Sequence, residues 1–243
     1  MNVVEDNPVT RAWRRLGRAL GKPRAVLCVS AHWLTRGTFV TGNLRPRTIH
    51  DFGGFPDDLY RVQYPAPGDP GLARRTAALL GLGPDAVTEE WGLDHGAWGV
   101  LRGMYPAADV PVVQLSLDAT RSEADHAAMA RRLRDLRRED VLIVASGNVV
   151  HNLGRIVWSE EAPVPDWAAG FDKATADALC AGDLDALAAW RTLTPTAALA
   201  HPTPDHWWPL LYAAALRDKD EPVRFPIEGF QNGTISMRAV RVG

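Results

Sequence analysis

With 243 residues, 46% of them hydrophobic and 23% charged, the chain has enough apolar material for a sizeable core, which excludes intrinsic disorder. A formal net charge of −2 gives no electrostatic case for binding nucleic acid or an anionic membrane. No run of about 18 apolar residues exists to span a bilayer, the acidic start Met1 to Asn7 is unlike a signal peptide, and Cys28 and Cys180 are too few for a Cys-built metal site, so reduced, cytoplasmic conditions are expected.

In chain order, Asn7-Pro8 reads as the capped start of a helix with Trp13, Leu16 and Leu20 on one face, ended by Gly21-Lys22-Pro23. An apolar strand follows over 24–31. The stretch 41–69 mixes Pro, Gly and aromatics without a period, which predicts a long ordered loop, and such loops in compact domains are usually functional. A helix over 70–82 comes next, then a loop holding Asp94-His95-Gly96 whose end opens a helix through Met104-Tyr105. A strand is expected over 110–117, a helix over 121–138 with its arginines on a solvated face, and a second buried strand over 141–147. Helices over 166–181, 182–191 and 207–217 and strands near 222–226 and 234–241 close the chain. The alternation predicts an α/β fold, a single domain over 1–243, with a mainly parallel or mixed central sheet and helices on both faces.

Both apolar strand patterns run into a histidine: Ser30-Ala31-His32-Trp33 after the first, Gly147-Asn148-Val149-Val150-His151-Asn152 after the second. Open α/β sheets bind ligands where such strands end. Imidazole is at once the commonest metal ligand and the commonest general base near neutral pH. His95 has the carboxylate of Asp94 beside it as a candidate for orienting its ring. His206, in Pro204-Asp205-His206-Trp207, stands at a helix entry with Asp205 as the expected cap, and Gly147 is expected to make an unusual turn. His126, on a polar helix start, is expected at the surface, and His201 in a structural role. His50 and Phe52 fall in the long loop, which is expected to cover a substrate. Dinucleotide, P-loop, His-Glu-x-x-His and Gly-x-Ser-x-Gly patterns are all absent, and a Ser146–His151 nucleophile pair has no second glycine to support it.

Five segments together carry a resemblance: Ser30-Ala31-His32-Trp33; Thr48-Ile49-His50-Asp51-Phe52-Gly53-Gly54-Phe55-Pro56; Asp94-His95-Gly96-Ala97-Trp98-Gly99; Gly147 to Leu153; and Thr203-Pro204-Asp205-His206. In this order they resemble the class III extradiol ring-cleavage dioxygenases, in particular the DOPA 4,5-dioxygenase branch, related to the catalytic subunit of protocatechuate 4,5-dioxygenase. The resemblance implies a non-haem Fe(II), with zinc possible in its place, that opens a catechol with O2. It implies that His32 and His206 are metal ligands, that His151 is a general base or a further ligand, and that His95 contacts substrate or dioxygen as an acid. His50, Phe52 and Trp98 are the expected substrate-binding residues, with Trp33 and Phe55 as further candidates for apolar faces. Family members open with a strand ending in His-Gly-Ser-Pro, whose histidine is another ligand, before Met-Asn; this sequence begins at Met1-Asn2. The resemblance therefore implies that the chain as written lacks that strand and ligand, through a start assigned too late or a true shortening, and that this form binds iron weakly and is unstable or inactive. Two other readings stay open: a zinc-dependent hydrolase on the same histidines, and a shortened relative that keeps the fold as a binding protein.

Overall fold

The computed structural model describes residues 2–159 and 161–243. The chain forms two compact units, one of residues 2–120 and 132–146, the other of residues 121–131 and 147–243 with residue 160 set aside. The expected α/β class holds, with a mixed, mainly parallel sheet. Among the described residues, no helix is long and apolar enough to cross a membrane.

The first unit holds a five-stranded sheet built from β1 (Ala25–Thr35), β2 (Val40–Thr41), β3 (Val87–Thr88), β4 (Val112–Asp118) and β5 (Val141–Ser146), in the order β3-β2-β4-β1-β5. β1 lies between β4 and β5 and pairs with both in parallel, which is why its run Ala25–Val29 is apolar at every position and fully buried. β2 pairs with β3 in parallel and with β4 antiparallel. β5 is an edge strand and only half-buried after Val141, so the expectation of a second buried strand is corrected there. β1 also runs on past the expected end at Ala31. Its pairing with β4 shifts register between Val29 and Leu34, and His32 falls inside that irregularity. Such breaks in a ladder re-aim side chains.

Among the described residues, four α-helices belong to this unit. α1 (Pro8–Leu20) starts as expected on Asn7, whose side chain accepts from Thr10 N–H in a reciprocal capping box, with Pro8 at the first helical position. α2 (Asp57–Tyr60) is a single turn inside the long loop, and α3 (Pro70–Leu80) is capped by Asp69. α4 (His95–Met104) is capped by Asp94 and presents Ala97, Trp98 and Leu101, all with 0% exposure, to a core shared with Val26, Cys28, Tyr64 and Leu93. Truncating Leu101 to Ala is expected to cost about 2–5 kcal/mol.

The helix predicted over 121–138 is two elements. α5 (Glu123–Arg132) stops, and a 3-10 helix takes over from Arg134 to Glu139. Leu133 and Leu136, both fully buried, are three residues apart, which suits the three-residue turn of a 3-10 helix.

The second unit contains most of α5, then α6 (Asp166–Ala181), α7 (Leu184–Ala188), α8 (Ala197–Ala200) and α9 (Trp208–Ala215). It has two small antiparallel ribbons, β6 (Val223–Ile227) with β9 (Ala239–Val242), and β7 (Phe230–Gln231) with β8 (Ile235–Ser236). An aromatic cluster anchors it: Phe171, Trp190, His201 and Trp207 meet with ring centroids 5.3–6.3 Å apart. The two indole N–H groups are satisfied locally. Trp207 Nε1–H donates to Leu187 O at 3.0 Å and Trp190 Nε1–H to Glu123 at 2.9 Å.

Candidate functional site

In the first unit, His32, Asp51 and His95 each offer a ligand atom, and the three atoms lie within 4.8 Å of one another. His32 comes from the irregular stretch of β1, Asp51 from the long loop, and His95 from the first turn of α4. The imidazoles of His32 and His95 are in contact, with centroids 3.9 Å apart.

Asp51 holds His95 twice: one carboxylate oxygen accepts the His95 backbone N–H at 2.8 Å, the other its ring Nδ1–H at 2.9 Å. Asp51 also stands 3.8 Å from His32 Nδ1. Burial pushes the Asp51 carboxyl up, but the bonds and charge of His95 outweigh this and hold it below the usual carboxylate value. With Nδ1 committed to an ionised carboxylate, His95 Nε2 is the atom left to take or give a proton, or to bind a metal.

The sequence neighbour Asp94 does not orient the His95 ring, contrary to expectation. Its carboxylate is fully buried and accepts from Ser30 Oγ–H, Ala97 N–H, Gln114 Nε2–H and Trp91 Nε1–H. A residue capping a helix aims its side chain back at the free N–H groups of the first turn, away from the next residue's ring. Asp94 acts on the site indirectly. It fixes Ser30, whose Oγ accepts the His32 N–H at 3.2 Å.

Close packing completes this frame. A Cβ placed on Gly96 would stand 2.5 Å from Ser30 Oγ and 2.8 Å from His32 Cδ2, and the Gly96 carbonyl takes a hydrogen bond from Ser146 Oγ at 2.7 Å. Only glycine lets the start of α4 press against the His32 end of β1.

An aromatic wall adjoins His95. Phe52 meets it edge-on at 5.4 Å, and around Phe52 stand His50, Phe55, Tyr60 and Trp98 at 5.1–6.2 Å. His50 is held by a bond from Nε2 to Val62 O at 2.9 Å. Trp98 is enclosed in the core with its indole N–H on Ile49 O, beneath the loop residues. Trp33 is likewise buried and stacks on Trp91 at 5.8 Å.

In the second unit, His151 and His206 stack face to face, centroids 3.5 Å apart and 4° from parallel. Asn148 N–H donates to His206 Nδ1 at 3.3 Å. Asp205, expected to cap the next helix, does not: no side chain caps α9, and the Asp205 carboxylate lies 3.9 Å from His206 Nε2. His126 is not at the surface. It has no exposure, its Nδ1 is 3.2 Å from Tyr212 Oη, and its ring lies over Trp208.

The structure thus gathers the sequence-predicted histidines into two pairs, His32 with His95 and His151 with His206. It adds Asp51, to which no role is assigned from sequence. Two imidazoles and a carboxylate form the donor set that non-haem Fe(II) oxygenases use, so the first-unit cluster fits a metal of that kind.

An α/β sheet in which β1, between β4 and the edge strand β5, carries a histidine into such a cluster has the make-up of a metal-dependent enzyme. Residues 4–243 match the family model described as the catalytic LigB subunit of aromatic ring-opening dioxygenase. The chain is 47% identical over 246 residues to 4,5-DOPA dioxygenase extradiol of Escherichia coli K12, covering all of this chain and 91% of that one. It is 38% identical over 218 residues to the protein of the same name in Beta vulgaris, covering 88% and 81%. A crystal structure of an uncharacterized protein from Escherichia coli K12 superposes with a TM-score of 0.85 at 43% identity, over all of this chain and 96% of that one. The chain belongs to the LigB family of aromatic ring-opening, class III extradiol dioxygenases, as the resemblance of its five motifs implied.

Proposed function

We propose that the protein opens the aromatic ring of a catechol of the DOPA type next to its diol, using O2 and a resident Fe(II). One observation carries this reading: in a chain of the ring-opening family, two imidazoles and a carboxylate are gathered beside an aromatic wall. Bound iron supplies an electron path between catechol and dioxygen. His32, with Asp51 and His95 beside it, is the proposed metal-binding histidine of the first unit, and His206 and His151 are the proposed metal-binding histidines of the second. Coordination by His206 through Nε2 requires its Nδ1 to release the Asn148 bond, because a neutral imidazole has a single lone pair.

The remaining roles fall to residues of this chain. His151 is the proposed base for a catechol hydroxyl. His95, with Nδ1 held by Asp51, gives or takes its proton at Nε2. His50 and Phe52 offer flat faces to the ring, which small-molecule sites require, and Trp98 supports them from below. The two free cysteines, Cys28 and Cys180, accord with the reducing cytoplasm as the working compartment.

The test is anaerobic loading of metal-stripped protein with Fe(II) or Zn(II), followed by O2 electrode and absorbance traces with DOPA and simple catechols. Oxygen uptake matched to catechol loss with Fe(II), and none with Zn(II), is expected. No uptake with any catechol after full iron loading overturns the reading. Metal content of H32A, D51N and H206A assigns the ligands, and retention of iron by H206A removes that residue from the set.

A further inference from the structure

His201 takes no part in the reaction as proposed, yet it is built into the segment that carries His151. Residues 148–152 form neither a helix nor a continuous strand, and they are held from two sides. On one side His201 Nε2–H donates to Val149 O at 2.8 Å, His151 N–H donates to Ala200 O at 2.9 Å, and Asn152 Nδ2–H donates to Leu199 O at 2.8 Å. On the other, Ser236 N–H donates to Val150 O at 3.0 Å, Asn148 Nδ2–H to Ser236 O at 2.8 Å, and Thr234 Oγ–H to Asn152 O at 2.9 Å.

Within this frame His201 is the rigid piece. Phe171, Trp190 and Trp207 wall its ring on three sides at 5.3–5.7 Å, so the imidazole has no room to turn. A carbonyl only accepts, so the proton sits on Nε2, and Nδ1 meets no hydrogen-bond partner among the described residues. The residue's polarity is therefore committed to one carbonyl, two residues before His151. Burial pushes its pKa down to about 4, which keeps the ring neutral, with its single proton on Nε2, near neutral pH.

We propose that His201 is a positioning residue: by fixing the Val149 carbonyl from an immobile aromatic cage, it sets the placement of the His151 imidazole against His206. This rests on the ring-opening reading with His151 in the reaction. A misplacement of about 1 Å at a reacting group costs on the order of 100-fold in rate, so small slippage of this segment is enough to be seen.

H201F keeps the ring volume and removes the donor, whereas H201Q offers a side-chain N–H in its place. In the iron-loaded enzyme H201F is expected to lose about tenfold or more in kcat with KM and iron content near wild type, and H201Q to recover most of the loss. In metal-free protein, the imidazole NMR signals of His151 and His206 are expected to move in H201F and return toward wild type in H201Q. Unmoved His151 signals in H201F, wild-type kcat in H201F, or equal losses in both variants overturn the positioning role. A wild-type enzyme inactive on every catechol, with His151 signals that still move in H201F, sinks the reaction reading and leaves the positioning role standing.

Discussion

His201 also makes stability depend on pH in a way that can be worked out beforehand. Its ordinary pKa is 6.5, and in the folded protein burial lowers this to about 4. Above pH 6.5 the ring is neutral in both folded and unfolded chains, and its contribution to stability is fully present. As pH falls below 6.5 the unfolded chain takes up a proton that the folded protein refuses until about pH 4. Stability is lost across that window and the loss levels off below it. The gap between 6.5 and about 4 corresponds to about 3 kcal/mol. Other groups titrate in the same range, so the informative quantity is the difference between wild type and H201F. Urea unfolding followed by tryptophan emission suits the measurement, since Trp190 and Trp207 lie against the ring at 5.3 and 5.4 Å. The wild type's stability relative to the variant is expected to fall by about 3 kcal/mol between pH 7 and pH 4. Parallel curves through that window would refute the account, because they would mean that the ring is protonated as readily folded as unfolded.

Three further outcomes follow from the geometry. D51N keeps an acceptor for His95 Nδ1–H but removes the charge; kcat is expected to drop about 10–100-fold with KM little changed, read by steady-state kinetics on iron-loaded protein. R238M strips Asp172 of its buried partner at 2.5 Å and is expected to lower stability by about 3–5 kcal/mol, while D172L combined with R238M regains much of that in a thermal melt. G96A puts a methyl against Ser30 and His32, and G147A puts one 2.5 Å from the His206 carbonyl; each is expected to cost about 1–3 kcal/mol of stability. In titrations with Fe(II), a drop in affinity for G96A alone assigns the ion to the first-unit donors.

The sheet and most helices were legible because their signals are local. β1 reads as an apolar run because a strand paired on both sides is buried on both faces, and α1 and α6 announce themselves by cap and length. What failed depended on contacts distant in sequence. Asp51 lies 44 residues from His95, in a loop without a period, so no spacing marks them as partners. Asp94 is adjacent to His95 in sequence, but helix geometry turns its side chain to the backbone. The charged neighbours of His126 point to the surface. Yet it stands at i, i+3, i+4 and i+7 spacing with Met129, Ala130 and Leu133, all buried, and that pattern was readable as an inward face. β5 differs for another reason: an apolar run does not say whether one neighbour or two will cover it.

The glycines beside the histidines show how a correct signal carried the wrong reason. Gly147 reads in sequence as a residue needed for an unusual turn, yet neither it nor Gly96 is among the positive-φ positions. Each is instead a place where one backbone is pressed against a histidine-bearing segment, Gly96 on Ser30 and His32, Gly147 on the carbonyl of His206. The requirement is steric and it is set by the partner: hydrogen is the only side chain thin enough to pass. Close approach lets backbone atoms take part in holding a site: Gly96 O accepts from Ser146 Oγ–H, and Asn148 N–H donates to His206 Nδ1. Backbone atoms have fewer rotamers to lose than side chains do, so the segments that carry the histidines are held at little entropic cost. A glycine next to a histidine at a strand or helix end is therefore informative about the precision of a site even where no turn requires it.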